Sequence, residues 1–346
     1  MIKIIYFKIK MLDRTYIKHI KNSKLLNENS KETYLKRLNT IQYDIWKNCK
    51  SINHKVGNGK CLFYIIKNPE AFMEKLDEYV NKTQGRLEKD KLSIHAKDSY
   101  VSAIGAIFRH TPGMIQKQHA LYQKWLDIHK EVREPISKKY KSNKPTVRQE
   151  KAYMPFEELE KLRDSFEKGS DIRLLISLYT MIPPVRSDYY KVKIYKDEKL
   201  VPKDDTNFIV LNSKPYIGLR KYKTSKTYNT IKINIPKNLE KEIKDSLDKK
   251  PREYLFVQKN RKPFDKSNSF NKQMNRLLKD NINENFSLTA FRHIYITRRD
   301  LKLEEKSGLE RDEVAKIMGH SIATQQNYLW HTFEKEKDLK DKNKEK

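Results

Sequence analysis

Arg186, the Arg292-His293 pair, Gly319-His320-Ser321 and Tyr328 follow one another through the second half of this chain. Two arginines far apart in sequence can each offer a planar, permanently charged fork to a phosphate. A histidine adds a hydrogen-bond donor, and a tyrosine hydroxyl is a nucleophile able to attack phosphorus and stay attached to it. These residue types suffice, without a metal, for cutting and rejoining a phosphodiester backbone. The chain holds 20 tyrosines and 74 lysines and arginines. Order and local context therefore carry more weight than any one of these residues.

The elements that must position them are legible from spacing and turn chemistry. Met154-Pro155-Phe156-Glu157-Glu158-Leu159 predicts a helix start, with proline and acidic residues leading in. Ile172, Leu175, Ile176 and Tyr179 predict a second helix, broken at Pro183-Pro184 just before Arg186. Tyr216 to Lys223 and Thr230 to Ile235 read as paired strands, the latter alternating Ile231, Ile233, Ile235. Ser225 to Asn229 is the turn between them. Helices are expected again over Phe270 to Leu278, Leu288 to Arg299 and Arg311 to Met318. Arg292 falls within one of these, beside Phe291 and Tyr295.

The first half reads as helical throughout. Asn29 with Glu32 resembles a helix-start box ahead of Leu35, Leu38, Ile41 and Ile45. Asn68-Pro69 opens a second helix carrying Phe72, Leu76 and Val80. Tyr100, Ile104, Ile107 and Phe108 mark a third, ended by Thr111-Pro112-Gly113. Leu121, Trp125 and Ile128 mark a fourth. From Glu134 to Gln149 the apolar periodicity dissolves into lysines, serines and prolines, which reads as a basic linker.

A chain of 346 residues has room for two domains. Its formal net charge is +29, an excess suited to a polyanion held through its phosphates. Thirteen phenylalanines beside the tyrosines argue against global disorder. Cys49 and Cys61, the only cysteines, are too few and too far apart for a zinc site or a disulfide framework. Met1 to Met11 is interrupted by lysines and lacks the features of a signal peptide. No stretch approaches the ~20 apolar residues of a membrane span. The expectation is a soluble intracellular protein located with the DNA.

With the motifs in place, residues Tyr153 to Phe333 resemble the catalytic domain of the tyrosine recombinase (phage integrase-type) family. The resemblance rests on Ile182-Pro-Pro-Val-Arg186, Lys223-Thr-Ser-Lys226, Phe291-Arg292-His293-Ile-Tyr-Ile-Thr297, Met318-Gly319-His320-Ser321 and Tyr328. Tyr254-Leu255-Phe256 also resembles the segment joining hairpin to second arginine in that family. It implies a mainly α fold with a small β-hairpin or sheet (α+β). The expected domains are an extension over 1–28, a helical DNA-binding lobe over 29–133, the basic linker over 134–152, the catalytic domain over 153–333 and a charged tail over 334–346.

The resemblance also implies roles. Tyr328 would attack the scissile phosphorus, leaving a 3′-phosphotyrosine and a free 5′-hydroxyl. Arg186 and Arg292 would grip the non-bridging oxygens, and His320 would donate to the same phosphate. A hairpin lysine, Lys223 with Lys226 as the alternative, would protonate the departing oxygen. No metal, ATP or other cofactor is implied. The expected partner is double-stranded DNA, engaged by a homo-tetramer on paired sites. His293 suits the family and is assigned no chemistry.

The sequence departs from the family pattern in places. Thr289 stands where members often carry a histidine, which leaves that role open. Tyr328 follows His320 by eight residues, one fewer than the pattern. Pro183-Pro184 replaces a glycine-containing approach, and Tyr189 stands where an acidic residue often supports the arginine, with Asp188 adjacent. These departures suggest a divergent member, and the lysine- and asparagine-rich composition suggests a virus or mobile element as its source. The competing functions are a type IB topoisomerase and a DNA-binding accessory protein without catalysis.

Overall fold

The computed structural model describes residues 15–45, 62–79, 94–204, 206–302 and 311–329. Met1 to Met11, Cys49, Cys61, Val80, Phe333 and the charged tail lie outside the described residues. Among those described, the fold is mainly α with one small sheet, an α+β architecture. The chain divides into two compact units, Met1–Tyr140 and Lys141–Lys346, each with its own apolar core.

The described part of the first unit is helical: α1 (residues 15–22), α2 (Glu28–Thr40), α3 (Leu62–Lys67), α4 (Pro69–Glu78), α5 (Ile94–His110), α6 (Met114–Lys117) and α7 (His119–Lys141). Tyr16 and Ile20 of α1 belong to the core, so the helical lobe reaches back past the expected start at residue 29. Asn27, not Asn29, caps α2, its side chain accepting from the Ser30 N–H. Tyr100, Val101, Ala103, Ile104, Ala106, Ile107 and Phe108 are all buried on α5. A helix so apolar around its circumference must sit centrally. Trp125 of α7 is buried and satisfied, its indole N–H donating to Ile66 O at 2.8 Å while its ring packs on Phe72.

The segment expected to lose helical structure at Glu134 instead remains helical to Lys141. Its support is charge spacing, with Lys138 one turn after Glu134 at 2.8 Å. Such a solvent-facing turn has no apolar period to read. The helix tolerates Pro135.

The second unit comprises α8 (Val147–Ala152), α9 (Phe156–Ser165), α10 (Asp171–Thr180), β1 (Lys193–Tyr195), β2 (Phe208–Val210), β3 (Tyr216–Leu219), α11 (Ser225–Tyr228), β4 (Ile231–Asn234), α12 (Lys237–Lys249), α13 (Ser267–Asn281), α14 (Leu288–Lys302), α15 (Arg311–Ile317) and α16 (Ile322–Gln326). Helix α10 is its centre, buried from Ile172 to Thr180. Arg173 survives there because Glu242 of α12 accepts two bonds from it at 2.8 Å and the Asp164 and Phe166 carbonyls take two more. A buried cation without such partners would be strongly destabilising.

The sheet runs β1-β2-β3-β4, the first pair parallel and the others antiparallel. Gly218 faces Phe208 across the β2–β3 pair, and a Cβ there would meet the ring at 2.3 Å. The close ring–backbone approach therefore requires glycine.

The hairpin differs from expectation. Strand β3 ends at Leu219, not Lys223, and the connection to β4 contains the helical turn α11. β1, β2 and α12 have no counterpart in the sequence expectations. Strands of three residues are too short to show alternation, and α12 buries only Leu239 and Ile243 as large apolar residues. Among the described residues, no helix is long and apolar enough to cross a membrane.

Candidate active site

Arg292 is the hub. It lies in α14 between Phe291, which belongs to the core, and His293. The residue is 2% exposed. Nη1 donates to Pro184 O at 2.8 Å and Met318 O at 3.1 Å, and Nη2 lies 2.7 Å from His320 Nδ1. One planar fork thus joins the Pro-Pro loop after α10 to the Gly-His turn after α15. Burial lowers the guanidinium pKa, with Tyr328 the main opposing influence.

That contact settles the His320 tautomer. A guanidinium only donates, so Nδ1 accepts and the ring proton of neutral His320 sits on Nε2. Burial, then Arg292 and Arg186, push the His320 pKa down to about 3. The side chain is therefore a neutral donor near neutral pH. Among the described residues, His320 Nε2 and Arg292 Nε are buried with no hydrogen-bond partner. Buried donors of this kind seek an acceptor.

Gly319 has φ +69°, the left-handed conformation that ends a helix. Its N–H bonds back to Lys316 O, while the next N–H, of His320, reaches Ala315 O. Its own carbonyl accepts from Arg186 Nη1 at 2.7 Å and Thr224 Oγ1 at 3.0 Å. A Cβ at this position would lie 3.0 Å from Arg186 Nη1. Glycine is thus demanded by backbone conformation and by the closeness of the arginine.

Arg186 is anchored from below. The Tyr179 hydroxyl donates to its carbonyl, and that ring packs on Phe291 and Tyr189. Asp188 lies in the field of both Arg186 and Arg292; burial pushes its carboxyl up and the two arginines oppose that. Asn207 is buried and fully engaged, donating to Asp188 O and Lys221 O and accepting from the Arg220 and Lys221 N–H groups. It ties the Arg186 loop to the loop that carries the lysines.

Tyr328 follows α16, whose first turn is capped by Ser321. The Tyr328 ring stacks 5.2 Å from His320 and lies 4.9 Å from His293, with the Arg292 guanidinium 4.7 Å from its centroid. Behind it, Ile296, Val314, Met318 and Leu329 form a small separate core.

Arg186, Arg292, His320 and Tyr328 thus stand together. The lysines do not join them by direct contact. Lys223 lies in the turn before α11 and Lys226 within it, both exposed and, among the described residues, unpaired with a carboxylate. Thr224, beside Lys223, is what touches the cluster. Thr289, in the first turn of α14, is exposed and bonds to none of the four. Sequence reasoning missed Thr224 and Asn207, because a lone threonine or asparagine in a loop carries no spacing signal. No group of three histidine, cysteine or acidic side chains able to hold a metal occurs among the described residues.

No family model matches the chain, and neither does any curated protein. Among solved structures, the crystal structure of XerA recombinase aligns over 95% of this chain and 97% of that one. The identity is 14% and the TM-score 0.38, a likeness that carries no argument about function.

Proposed function

We propose that the second unit is a DNA strand-transfer enzyme of the tyrosine recombinase type. Tyr328 attacks a backbone phosphodiester; the bond from its oxygen to phosphorus forms as the bond to the 5′-oxygen breaks. The hydroxyl proton passes to water, and the departing oxygen takes a proton from Lys223, or Lys226 in its place. Arg186 and Arg292 carry the charge on the phosphoryl oxygens, and His320 Nε2–H donates to one of them. Reversal by a second 5′-hydroxyl rejoins the strand, so the bond energy is conserved.

The observation that carries this reading is the buried Arg292–His320 pair beside the Tyr328 ring. Each of the two keeps one donor without a partner. Two such buried donors, with the Arg186 fork bonded to the neighbouring Gly319 carbonyl, are groups whose chemistry suits a phosphate. The proposed working form is a homo-tetramer on two paired duplexes, acting in DNA integration for a virus or mobile element. The expected domain roles are a helical DNA-clamping lobe followed by this catalytic unit.

A duplex nicked near the cut site traps the covalent stage. The expected outcome is a protein–DNA adduct that disappears in Tyr328→Phe. Sequence-specific binding with no adduct at any site would instead identify a non-catalytic DNA-binding protein. Separate substitution of Lys223 and Lys226, with a 5′-bridging phosphorothiolate that needs no proton on leaving, identifies the acid. Only the variant of the true acid is rescued.

A further inference from the structure

We propose that His293 is a positioning residue for Tyr328, and that Gln149 of α8 in turn sets His293. The proposal rests on Tyr328 being the nucleophile. It starts at the capping box that opens α8. Gln149 Oε1 accepts from the Thr146 N–H at 2.8 Å and lies 3.0 Å from the Thr146 hydroxyl oxygen. The Thr146 hydroxyl in turn accepts from the Gln149 N–H. With its oxygen held in this way, the Gln149 amide directs Nε2 toward His293 Nε2, 3.5 Å away.

On its other side, His293 Nδ1 lies 3.0 Å from Tyr328 O. A carbonyl only accepts, so Nδ1 carries the ring proton and Nε2 is the acceptor. An amide nitrogen only donates, so the Gln149 contact requires the same tautomer. The two contacts agree, and they run in one direction: Gln149 N–H to His293 Nε2, then His293 Nδ1–H to Tyr328 O.

His293 is 8% exposed. It touches Tyr328 twice, through the carbonyl and through the ring at 4.9 Å. The Tyr328 N–H is meanwhile bonded to Gln325 O. Tyr328 is thereby held at its backbone nitrogen, its backbone oxygen and its ring. The helix supplying the second-rank support, α8, begins six residues after the division between the units. Its opening residues, Thr146 to Gln149, fall in the stretch that the sequence marks only as a basic linker. Positioning of this kind matters because a displacement of about 1 Å at a reacting group can cost on the order of 100-fold in rate.

The test uses the full chain on the nicked duplex, with the single-turnover adduct rate and DNA affinity measured separately. In His293→Phe and Gln149→Met, the expected result is an adduct rate lower by about tenfold or more, with DNA affinity unchanged. His293→Asn keeps an N–H close to the place of Nδ1–H, and the expected result is recovery of most of the rate. An unchanged rate in His293→Phe overturns the proposal. So does a parallel loss of rate, affinity and thermal midpoint that asparagine does not relieve, since that pattern means packing alone. A wild-type chain that forms no adduct overturns the assignment of Tyr328 as nucleophile, a distinct failure.

Discussion

Arg292 illustrates how one residue type can be irreplaceable for geometric reasons. Its fork reaches two carbonyls and an imidazole at once, which a single ammonium cannot reproduce. Arg292→Lys is therefore expected to lower the adduct rate by about 100- to 1,000-fold, read in the nicked-substrate assay. His320 makes a different prediction. Its pKa of about 3 means that the rate profile from pH 5 to 8 shows no inflection from this side chain in the free protein. The sign for stability follows from the unfolded value near 6.5. Below that pH the unfolded chain takes up a proton that the folded site refuses, so stability falls as pH drops from about 6.5 toward 3. His293, held at about 4 by burial against the opposing Tyr328 carbonyl, adds to the same loss over most of that window. Denaturant melts across this range are expected to show it, with a shallower slope in His320→Gln.

At the scale of elements, the candidate site sits where short irregular pieces meet, and two residues hold those pieces together. Gly319→Ala combines a strained φ with a contact at 3.0 Å to Arg186. A destabilisation of about 1–3 kcal/mol is expected, together with loss of the Arg186 position, visible as faster hydrogen exchange over 311–329. Asn207→Ala strips partners from the Asp188 and Lys221 carbonyls and from two backbone N–H groups in one step. Leaving such groups unsatisfied costs about 1–3 kcal/mol each where they stay buried, so thermal unfolding is expected to shift downward clearly. The long helices of this chain were legible because their apolar residues repeat at helical spacing, as on α5 and α10. β1, β2, α11 and α12 were not. Three-residue strands lack a period, and α12 hides its two buried apolar residues among charges.

For the molecule as a whole, the net charge of +29 makes a measurable claim about partners. DNA affinity is expected to fall linearly on a log–log plot against salt, by about 0.9 per phosphate contacted. The same slope is expected in Tyr328→Phe, because the substitution removes no lysine or arginine that contacts a phosphate. The sequence by itself determined that there would be helices with apolar faces, a helix broken at Pro183-Pro184, and an ordered set of Arg186, Arg292, His320 and Tyr328. Those properties depend on local spacing, proline geometry and residue chemistry, all of which act along the chain. Only the tertiary structure decided which of these residues meet. Arg292 and His320 are 28 residues apart and bond at 2.7 Å, while Lys223, expected at a strand end, lies in an exposed turn, and its neighbour Thr224 is what bonds to the Gly319 carbonyl. Such contacts depend on how α14, the Gly319 turn and the β3–β4 connection pack against one another. That packing is a sum over distant apolar contacts that no local pattern records.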